Sequence, residues 1–254
     1  MDARRSVQQR FGAVAARYTT TALFAGGPDL EALIEVAAPR GDEQVLDLGC
    51  GTGHTALALA PRVARVVGLD LTGAMLVEAR TLADARGVAN LRLPRGDVEA
   101  LPFADGAFDL ATCRYAAHHF PDPRRALAEA ARVLRPGGRL LLHDVVAPET
   151  PAADTFLQTI ELLRDGSHVR DHRLSEWDAM LREAGFAPRV VGRWPLATDF
   201  DAWVARMATP EPEVAMLRRL LEAAPREARD ALAIGQPGPR DFAFPTALLE
   251  ARRG

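Results

Sequence analysis

The chain contains no lysine, and all 31 of its basic side chains are arginines. Because lysine is absent, Schiff-base catalysis and the lysine-dependent P-loop of nucleoside triphosphatases are excluded. Two cysteines, Cys50 and Cys113, are too few in 254 residues for a disulfide framework, which is typical of a reducing cytoplasm. The sequence has no long apolar run and no apolar stretch near its start, so we expect a cytoplasmic protein without a membrane span or signal peptide.

The charge is nearly balanced, with 31 basic and 34 acidic residues and a net charge of −3. Proteins that bind nucleic acids usually carry a basic excess or a basic stripe along one face. The sequence has neither feature, so we expect a small-molecule partner rather than a nucleic acid. Nothing in the composition distinguishes a monomer from a homodimer.

Apolar segments of strand type alternate with helical segments after residue 44. The predicted strands cover 44–49, 64–70, 90–97, 108–115 and 139–146, and two more follow at 188–196 and 241–251. This alternation is typical of a parallel, doubly wound α/β sheet. Further helices are predicted at 4–22, 28–38, 152–165 and 175–184, and across most of 199–233, where Pro210, Pro212 and Pro225 mark breaks.

No linker or internal repeat divides the chain, so we expect one domain over residues 1–254. Residues 1–40 are expected to form a helical cover, 44–147 the core of the sheet, and 148–254 further helices with the last two strands. The stretch 199–233 has apolar side chains that need a partner: Trp203, Met207, Met216 and Leu220. The crevice at the strand ends is such a partner, so we expect these helices and the N-terminal helix to roof a pocket there.

A glycine-rich turn follows the first predicted strand, within VLDLGCGTG at residues 45–53. Glycine lets a ligand approach the backbone because no Cβ stands in the way, and the next helix points its free N–H groups at that ligand. A tight turn without a ligand is the alternative for this pattern taken alone. The dinucleotide fingerprint needs Gly or Ala five residues after the first glycine, and His54 at that position disfavours an NAD site.

Three carboxylates follow three successive predicted strands: Asp47, Asp70 and Asp97. Open α/β sheets bind their ligands at this edge, where the carboxyl ends of the strands meet. Asp47 suits a ligand with a positively charged end. Asp70 is placed to accept hydrogen bonds from ribose hydroxyls, with the N-cap of the following helix as its alternative role. Asp97 could accept from an adenine amino group, with Leu71 and Val98 on either side of the ring.

Five segments together resemble the successive motifs of class I S-adenosylmethionine (SAM)-dependent methyltransferases: VLDLGCGTG, VVGLD, GDVEALPF, FDLATCRYAAHHFPDP and ARVLRPGGRLLLHDV. They span about residues 44–146 and are most similar to the ubiquinone/menaquinone-biosynthesis C-methyltransferases, in the methyltransferase type 11 group. The resemblance implies a mostly parallel, seven-stranded Rossmann-like sheet with an antiparallel last strand and helical lid segments. It also implies that SAM is the methyl donor, that S-adenosylhomocysteine is the product, and that SAM lies across the strand ends.

The motifs and the N-terminal cover assign cofactor binding to residues along the first half of the chain: Phe11, Tyr18, Asp47, Gly49, Cys50, Gly51, Gly53, Asp70, Leu71, Met75, Asp97, Val98 and Arg114. Phe11 and Tyr18 share one face of the N-terminal helix, and ordinary core packing is their alternative role. Arg114 ends the fourth strand, and a surface ion pair is its alternative role.

A narrower resemblance extends over most of the chain. The segments QRFG near the start, CRYAAHHF, and RDGSHVRDHRLSEW at 164–177 are similar to a subgroup of uncharacterised bacterial methyltransferases. Phe24 departs from that pattern, because a histidine is expected after the first helix. If that histidine binds substrate in the subgroup, this chain takes a different substrate.

Three histidines are candidates for a general base: His118, His119 and His168. Methyl transfer is an in-line displacement at a sulfonium, so the protein mainly supplies position and a dry pocket. A base is needed where the acceptor must lose a proton. We expect His119, after the fourth strand, to face the methyl group, with a structural role as its alternative. His118 precedes it, and His168 lies in the connection after the fifth strand.

The sequence predicts no metal site. No pair among the six histidines has H-x-x-x-H spacing on a predicted helix, no dense group of Asp, Glu and His occurs, and His143-Asp144 matches the acidic strand ends of Mg-dependent methyltransferases only weakly. The acceptor and its reacting atom stay open. Two other classes of function are a SAM-binding enzyme of natural-product metabolism with a reaction other than methyl transfer, and an NAD(P)-dependent oxidoreductase, which His54 disfavours.

Overall fold

A mixed sheet lies at the centre of the computed structural model, which describes residues 2–236, 238 and 241–254. Its strands are β1 (Gln44–Leu48), β2 (Arg65–Leu69), β3 (Leu91–Arg92), β4 (Phe108–Arg114), β5 (Leu134–Val145), β6 (Phe186–Thr198) and β7 (Phe242–Arg253). Their order across the sheet is β3-β2-β1-β4-β5-β7-β6. The first five strands are parallel, and β7 pairs antiparallel with both β5 and β6. The predicted doubly wound, seven-stranded α/β sheet is confirmed.

Helices connect the parallel strands and cover both faces of the sheet. They are α1 (Ala3–Thr20), α2 (Ala22–Ala25), α3 (Pro28–Ala37), α4 (His54–Leu59), α5 (Gly73–Ala85), α6 (Pro123–Val133), α7 (Pro151–Arg164), α8 (Leu174–Glu183), α9 (Phe200–Met207), α10 (Glu211–Glu222) and α11 (Arg226–Leu232). Two single turns of 3₁₀ helix occur at Ala60–Arg62 and Ala117–His119. The second turn carries the two adjacent histidines to the carboxyl end of β4.

Strand β3 is much shorter than the prediction of 90–97 and has two residues. Pro94 has no N–H to donate to a neighbouring strand, so the ladder ends before it, and Arg95 forms an isolated bridge to Asp70. Strand β5 begins earlier than the predicted residue 139, because a bulge brings the preceding segment into register with β4. Both differences concern strand ends and leave the topology as predicted.

Alternate residues of the parallel strands face two different apolar layers. Leu46 of β1 packs in one cluster with α6 and α8, whereas Val45 packs in another with α3 and α4. Both side chains are fully buried. This pattern is typical of a parallel sheet that helices cover on both faces, and it leaves the strand ends as the place for a ligand.

A third apolar cluster joins α7 and α9–α11 to the start of β7. Trp203 and Met207 of α9 are buried, as the apolar pattern predicts, and Leu220 packs against the cluster. The prediction for Met216 is wrong: it is 52% exposed, because Val214 and Leu217 are the residues of α10 that face the cluster. Among the described helices, none is both long and apolar enough to cross a lipid bilayer.

Candidate active site at the strand ends

A cavity of about 970 Å³, counted out to its mouth, opens at the carboxyl ends of β1, β2 and β4. Its wall combines the glycine-rich turn, the strand ends and one face of α1. Residues in it include Arg4, Phe11, Tyr18, Gly49, Cys50, Gly51, His54, Asp70, Leu71, Met75, Asp97, Val98, Arg114, Tyr115 and His119. A cavity of this size accommodates a nucleoside-containing ligand, and we call it the first cavity.

The glycine-rich turn brings backbone atoms to the edge of the first cavity. Gly49 has a φ of 63°, and a Cβ there would lie 2.8 Å from the Cβ of Ala116. Gly51 has a φ of 53°, and its N–H donates to Asp70 Oδ2 at 2.8 Å. Glycine adopts such left-handed conformations with little strain, so the turn needs glycine at both positions and leaves its open side to a ligand.

Asp70 follows β2 and joins two loops that border the first cavity. Its Oδ1 accepts from the Thr72 N–H at 2.8 Å, and its Oδ2 accepts from Gly51. Burial raises the pKa of Asp70, while these backbone N–H groups oppose the rise. Thr72 is the N-cap of α5, so the alternative role of Asp70 as that N-cap is wrong. Carboxylate oxygens can accept more than one hydrogen bond, so Asp70 keeps acceptor capacity towards the cavity.

The wall also contains the carboxylate of Asp97 and three apolar side chains, Leu71, Met75 and Val98. Arg4 of α1 donates from Nε to Asp97 Oδ2 at 2.6 Å, and its guanidinium also pairs with the buried Glu99. Arg4 is absent from the predicted set because 93 residues separate it from Asp97. The contact ties the start of α1 to the loop after β3, across the first cavity.

Two of the predicted cofactor residues, Asp47 and Gly53, lie behind the wall of the first cavity rather than in it. Asp47 is buried, and its Oδ1 accepts from the Thr112 hydroxyl at 2.7 Å. Burial raises the pKa of Asp47 to about 7, although the Thr112 hydroxyl opposes the rise. Gly53 is the N-cap of α4 and lies against Ala79. Their part in cofactor binding stays a prediction.

Arg114 lies in the wall of the first cavity and forms a buried ion pair. Its Nε donates to Asp29 Oδ2 at 2.7 Å, and the two side chains are 3% and 9% exposed. The alternative of a surface ion pair is therefore wrong.

On the side of the first cavity opposite Arg114, Phe11 and Tyr18 of α1 reach the cavity, with ring centroids 5.5 Å apart.

A second cavity of about 910 Å³ adjoins the first, and five residues belong to both walls: Phe11, Tyr18, Phe24, Tyr115 and His119. The rest of its wall comes mainly from α7, α9, the end of β6 and the start of β7. Helices α1 and α9 thus roof the strand ends, whereas α10 and α11 contribute no residue to either wall, so the prediction that the whole stretch 199–233 roofs the pocket is wrong for these two helices. Two adjoining spaces with a common wall suit two reactants that must be held in contact.

His119 is the candidate base that lines both cavities. Its Nδ1 lies 3.0 Å from the Ser167 carbonyl oxygen. A carbonyl oxygen only accepts, so Nδ1 carries the proton in the neutral ring and the lone pair is on Nε2, which lies 4.0 Å from the carboxylate oxygen Asp165 Oδ2. Burial, and then the charge of His118, lower the pKa of His119 to about 4. The ring is therefore neutral near pH 7 and able to accept a proton.

His118 lines the second cavity and pairs with a buried carboxylate. Its Nδ1 lies 2.7 Å from Asp144 Oδ1, and its backbone N–H donates to Asp144 Oδ2 at 3.2 Å. Burial disfavours the imidazolium, but Asp144, together with Asp171 and Glu161, outweighs burial and raises the pKa of His118 to about 9. A protonated His118 is a poor base, and it places a positive charge beside His119.

His168 belongs to neither of these two walls. Its Nε2 lies 3.0 Å from Gln158 Oε1, and burial, followed by the charges of His118 and His119, lowers the pKa of His168 to about 2. The structure therefore does not bring this candidate base to the cavities. Its loop instead holds two histidines that line the cavities: the Ser167 carbonyl accepts from His119, and the N–H groups of Val169 and Arg170 donate to the His118 carbonyl.

The fold assembles a dense group of ionisable side chains that is not visible in the sequence. His118, Asp144 and Asp171 each place one possible donor atom within 4.8 Å of the others. The expectation that no such group occurs is wrong, because the three positions come from separate segments of the chain. Burial, and then Glu161, raise the pKa of Asp171 well above its usual value. Protonated His118 supplies positive charge to this group.

Tyr115 lies in both cavity walls but is absent from the predicted set. Its φ of 53° is a left-handed conformation that is uncommon for a residue other than glycine. Its ring lies 4.8 Å from the His143 ring and 5.1 Å from the Arg114 guanidinium carbon, as measured from the Tyr115 centroid. Strained backbone of this kind clusters at functional sites, and no local sequence signal indicates it.

Comparison with known proteins agrees with the geometry of the site. The family described as a methyltransferase domain matches residues 46–142. YcgJ of Bacillus subtilis, described as an uncharacterised methyltransferase, is 44% identical over 232 residues, which cover 89% of this chain and 92% of YcgJ. The demethylmenaquinone methyltransferase of Thermus thermophilus is 40% identical over 144 residues, which cover 54% of this chain and 65% of that protein.

Solved structures give the same result. The crystal structure of YcgJ matches with a TM-score of 0.85 and 41% identity, covering 88% of this chain and 97% of that one. The [4+2]-cyclase SpnF matches with a TM-score of 0.65 over 97% of this chain and 94% of that one, and at 23% identity this shows a shared fold alone. The chain therefore belongs to the class I SAM-dependent methyltransferases, in the group related to the UbiE-type C-methyltransferases.

Proposed function

We propose that the first cavity binds SAM and that the second holds a small-molecule acceptor, which the protein methylates on carbon, oxygen or nitrogen. The observation that carries the proposal is the common wall of the two cavities, which includes His119 with its lone pair on Nε2. SAM, when bound, supplies a methyl group that its sulfonium makes reactive.

The residues of the first cavity fit SAM by shape and by charge. Gly51 has no atom within 4 Å of the place where a Cβ would stand, so a ligand can approach the backbone closely there. Asp70 offers acceptor oxygens to the ribose hydroxyls, and Asp97 offers one to the adenine amino group. The cavity's carboxylates also suit a ligand whose amino and sulfonium groups are positively charged.

The chain's own part in the reaction is to position the acceptor, exclude water and take a proton. Phe11, Tyr18 and Phe24 cover the boundary between the cavities from the side of α1. His119 Nε2 accepts the proton that the acceptor loses, and the Ser167 carbonyl fixes the tautomer that places the lone pair on Nε2. Protonated His118 keeps His119 neutral by repulsion between the two rings.

The second candidate function is a SAM-binding enzyme of natural-product metabolism that catalyses another reaction. The [4+2]-cyclase SpnF has the same fold at 23% identity, so this fold also occurs in an enzyme named for a reaction other than methyl transfer. Methyl transfer is favoured because a neutral histidine lies at the boundary between the two cavities. Membership in the methyltransferase family removes the third class, an NAD(P)-dependent oxidoreductase.

The test is incubation of the purified protein with SAM and a panel of small acceptors, followed by mass spectrometry of both products. We expect S-adenosylhomocysteine to form together with an acceptor that is heavier by one methyl group. An acceptor that is transformed in the presence of SAM without formation of S-adenosylhomocysteine would support the second candidate. A protein that does not bind SAM would overturn both.

A further inference from the structure

The second cavity contains two arginines, Arg164 and Arg206, that form no ion pair with a carboxylate of the described residues. Arg206 of α9 is half-buried in the cavity wall. Within the described part of the chain it forms no hydrogen bond and no ion pair, and its guanidinium carbon lies 5.6 Å from the centre of the Phe24 ring. A partly buried cation without a counter-charge is costly, so Arg206 is suited to a negatively charged ligand.

Arg164 of α7 is the second arginine in the wall, and the surrounding structure holds it firmly. It is 8% exposed, its Nε donates to the Trp203 carbonyl at 3.3 Å, and its guanidinium carbon lies 5.3 Å from the Trp203 ring centre. Its own carbonyl accepts from the Thr209 hydroxyl at 3.0 Å. The side chain is thus fixed in place before any ligand binds.

The wall of the second cavity also contains two acidic residues, Asp199 and Glu161, and neither is paired with Arg206. Asp199 is exposed, and its Oδ1 accepts from the Ala202 N–H as the N-cap of α9. Glu161 is buried, and burial raises its pKa, although the charges of Arg164 and His118 oppose the rise. Neither carboxylate lies within ion-pair distance of Arg206 among the contacts of the described residues. His118, the other cation of the wall, has its own partner in Asp144.

The charges of the two arginines also shift the pKa of Tyr18, which lines both cavities, and the charge of Arg164 shifts the pKa of Arg206. Burial, and then the charge of Arg164, lower the pKa of Arg206. Burial raises the pKa of the Tyr18 hydroxyl, and both guanidinium groups oppose that rise. The side chains of Arg164, Arg206 and Tyr18 therefore converge on one region of positive potential at the boundary of the two cavities.

We propose that this region binds an oxyanion, a carboxylate or a phosphate, that belongs to the methyl acceptor. Arginine guanidinium groups match both anions through paired N–H donors. The remainder of the wall includes the apolar side chains Leu196, Trp203 and Phe244, which fit an acceptor whose body is apolar. The inference rests on the proposed function in taking the second cavity as the acceptor site.

The test uses the full chain saturated with S-adenosylhomocysteine and three probes of similar shape: benzoate, phenyl phosphate and the uncharged benzamide. Ligand-observed NMR titration measures each dissociation constant. We expect one or both anions to bind about tenfold or more tightly than benzamide, and the tighter of the two identifies the anion. Benzamide that binds as tightly as both anions, or no binding of either anion, would overturn the proposal.

Arg206→Gln should reduce the preference for the anion to less than about threefold. Arg226→Gln is the control, because that side chain is 91% exposed and outside the cavity wall, and it should keep the preference. An unchanged preference in Arg206→Gln would overturn the assignment. Titration with SAM, and titration of the anions without S-adenosylhomocysteine, separate this inference from the proposed function. A protein that binds the anions but not SAM refutes the function alone, and methylation of uncharged acceptors only refutes the anion site alone.

Discussion

At the scale of single residues, two adjacent histidines have opposite charge states because their partners differ. His118 Nδ1 lies 2.7 Å from Asp144 Oδ1, whereas His119 donates from Nδ1 to the Ser167 carbonyl and its Nε2 lies 4.0 Å from Asp165 Oδ2, beyond hydrogen-bond distance. His118 therefore holds its proton more tightly than free histidine does, and its charge makes protonation of His119 less favourable. The result is a neutral imidazole at the boundary of the cavities, which is the form that a general base needs.

Asp144→Asn should lower the pKa of His118 from about 9, because burial is then opposed only by Asp171 and Glu161. In the unaltered chain this raised pKa stabilises the fold below about pH 6.5, and the stabilisation is lost as the pH rises through about 9. Titration of the imidazole ¹⁵N resonances measures the pKa. Asp178→Asn, on the exposed side of α8, is the control. A His118 pKa that stays near 9 in Asp144→Asn would exclude this pairing.

His119→Gln should lower the single-turnover rate about a hundredfold while SAM affinity changes little, because the proton loses its acceptor. In the unaltered chain the rate should stay level from about pH 8 to pH 5 and fall as the pH drops through about 4, where His119 becomes protonated. A histidine with its ordinary pKa would lose activity near pH 6.5 instead. His172→Gln, outside both cavity walls, is the control. A near-normal rate in His119→Gln would show that His119 lines the cavities without acting as the base.

The sequence motif predicts those residues whose position depends on a local turn. Gly49, Gly51 and Asp70 border the first cavity, because the turn fixes the two glycines and Asp70 directly follows β2 at the same edge of the sheet. Asp47 lies in the same motif, but its register places it opposite Thr112 of β4, which binds its carboxylate. The conformation of Tyr115 depends on tertiary packing. A short segment of sequence specifies neither the register of a neighbouring strand nor such packing. The position of Asp47 and the conformation of Tyr115 could therefore not be predicted.

At the scale of elements, apolar periodicity predicts the strands and helices in the observed order. Proline marks several of their ends: Pro94 stops β3 early, and Pro210 and Pro225 are the N-caps of α10 and α11. The bulge that extends β5 could not be predicted, because it depends on the pairing with β4. Element ends that depend on one residue are therefore predictable, and those that depend on a neighbouring strand are not.

Helix α1 covers both cavities, and its first turn is tied down by an ion pair. Arg4→Gln should speed the release of S-adenosylhomocysteine about threefold to tenfold, because it removes the contacts with Asp97 and Glu99 that hold the helix over the first cavity. Stopped-flow displacement measures the release rate. Arg5→Gln, an exposed neighbour on the same helix, should leave the rate unchanged. Equal release rates in all three proteins would show that the start of α1 is no part of the cover.

At the scale of the whole molecule, the two cavities differ in how far the sequence predicts them. The first takes most of its wall from 49–121, a segment in which the family motifs lie close together. The second combines side chains of α1, α7, α9, β6 and β7, which are far apart in the chain. No local motif indicates that combination. The first cavity could therefore be predicted from the sequence, and the second could not.

Calorimetric titration of the unaltered chain and Asp70→Ala with SAM and NADH tests the central claim most directly. We predict that the unaltered chain binds SAM and does not bind NADH, because Asp70 faces the cavity and His54 occupies the start of α4, where a pyrophosphate would lie. Asp70→Ala should weaken SAM binding about tenfold to a hundredfold, through loss of hydrogen bonds to a carboxylate, whereas the exposed Asp84→Ala should not. NADH that displaces SAM, or an unchanged SAM dissociation constant in a folded Asp70→Ala protein, would contradict the assignment of the first cavity.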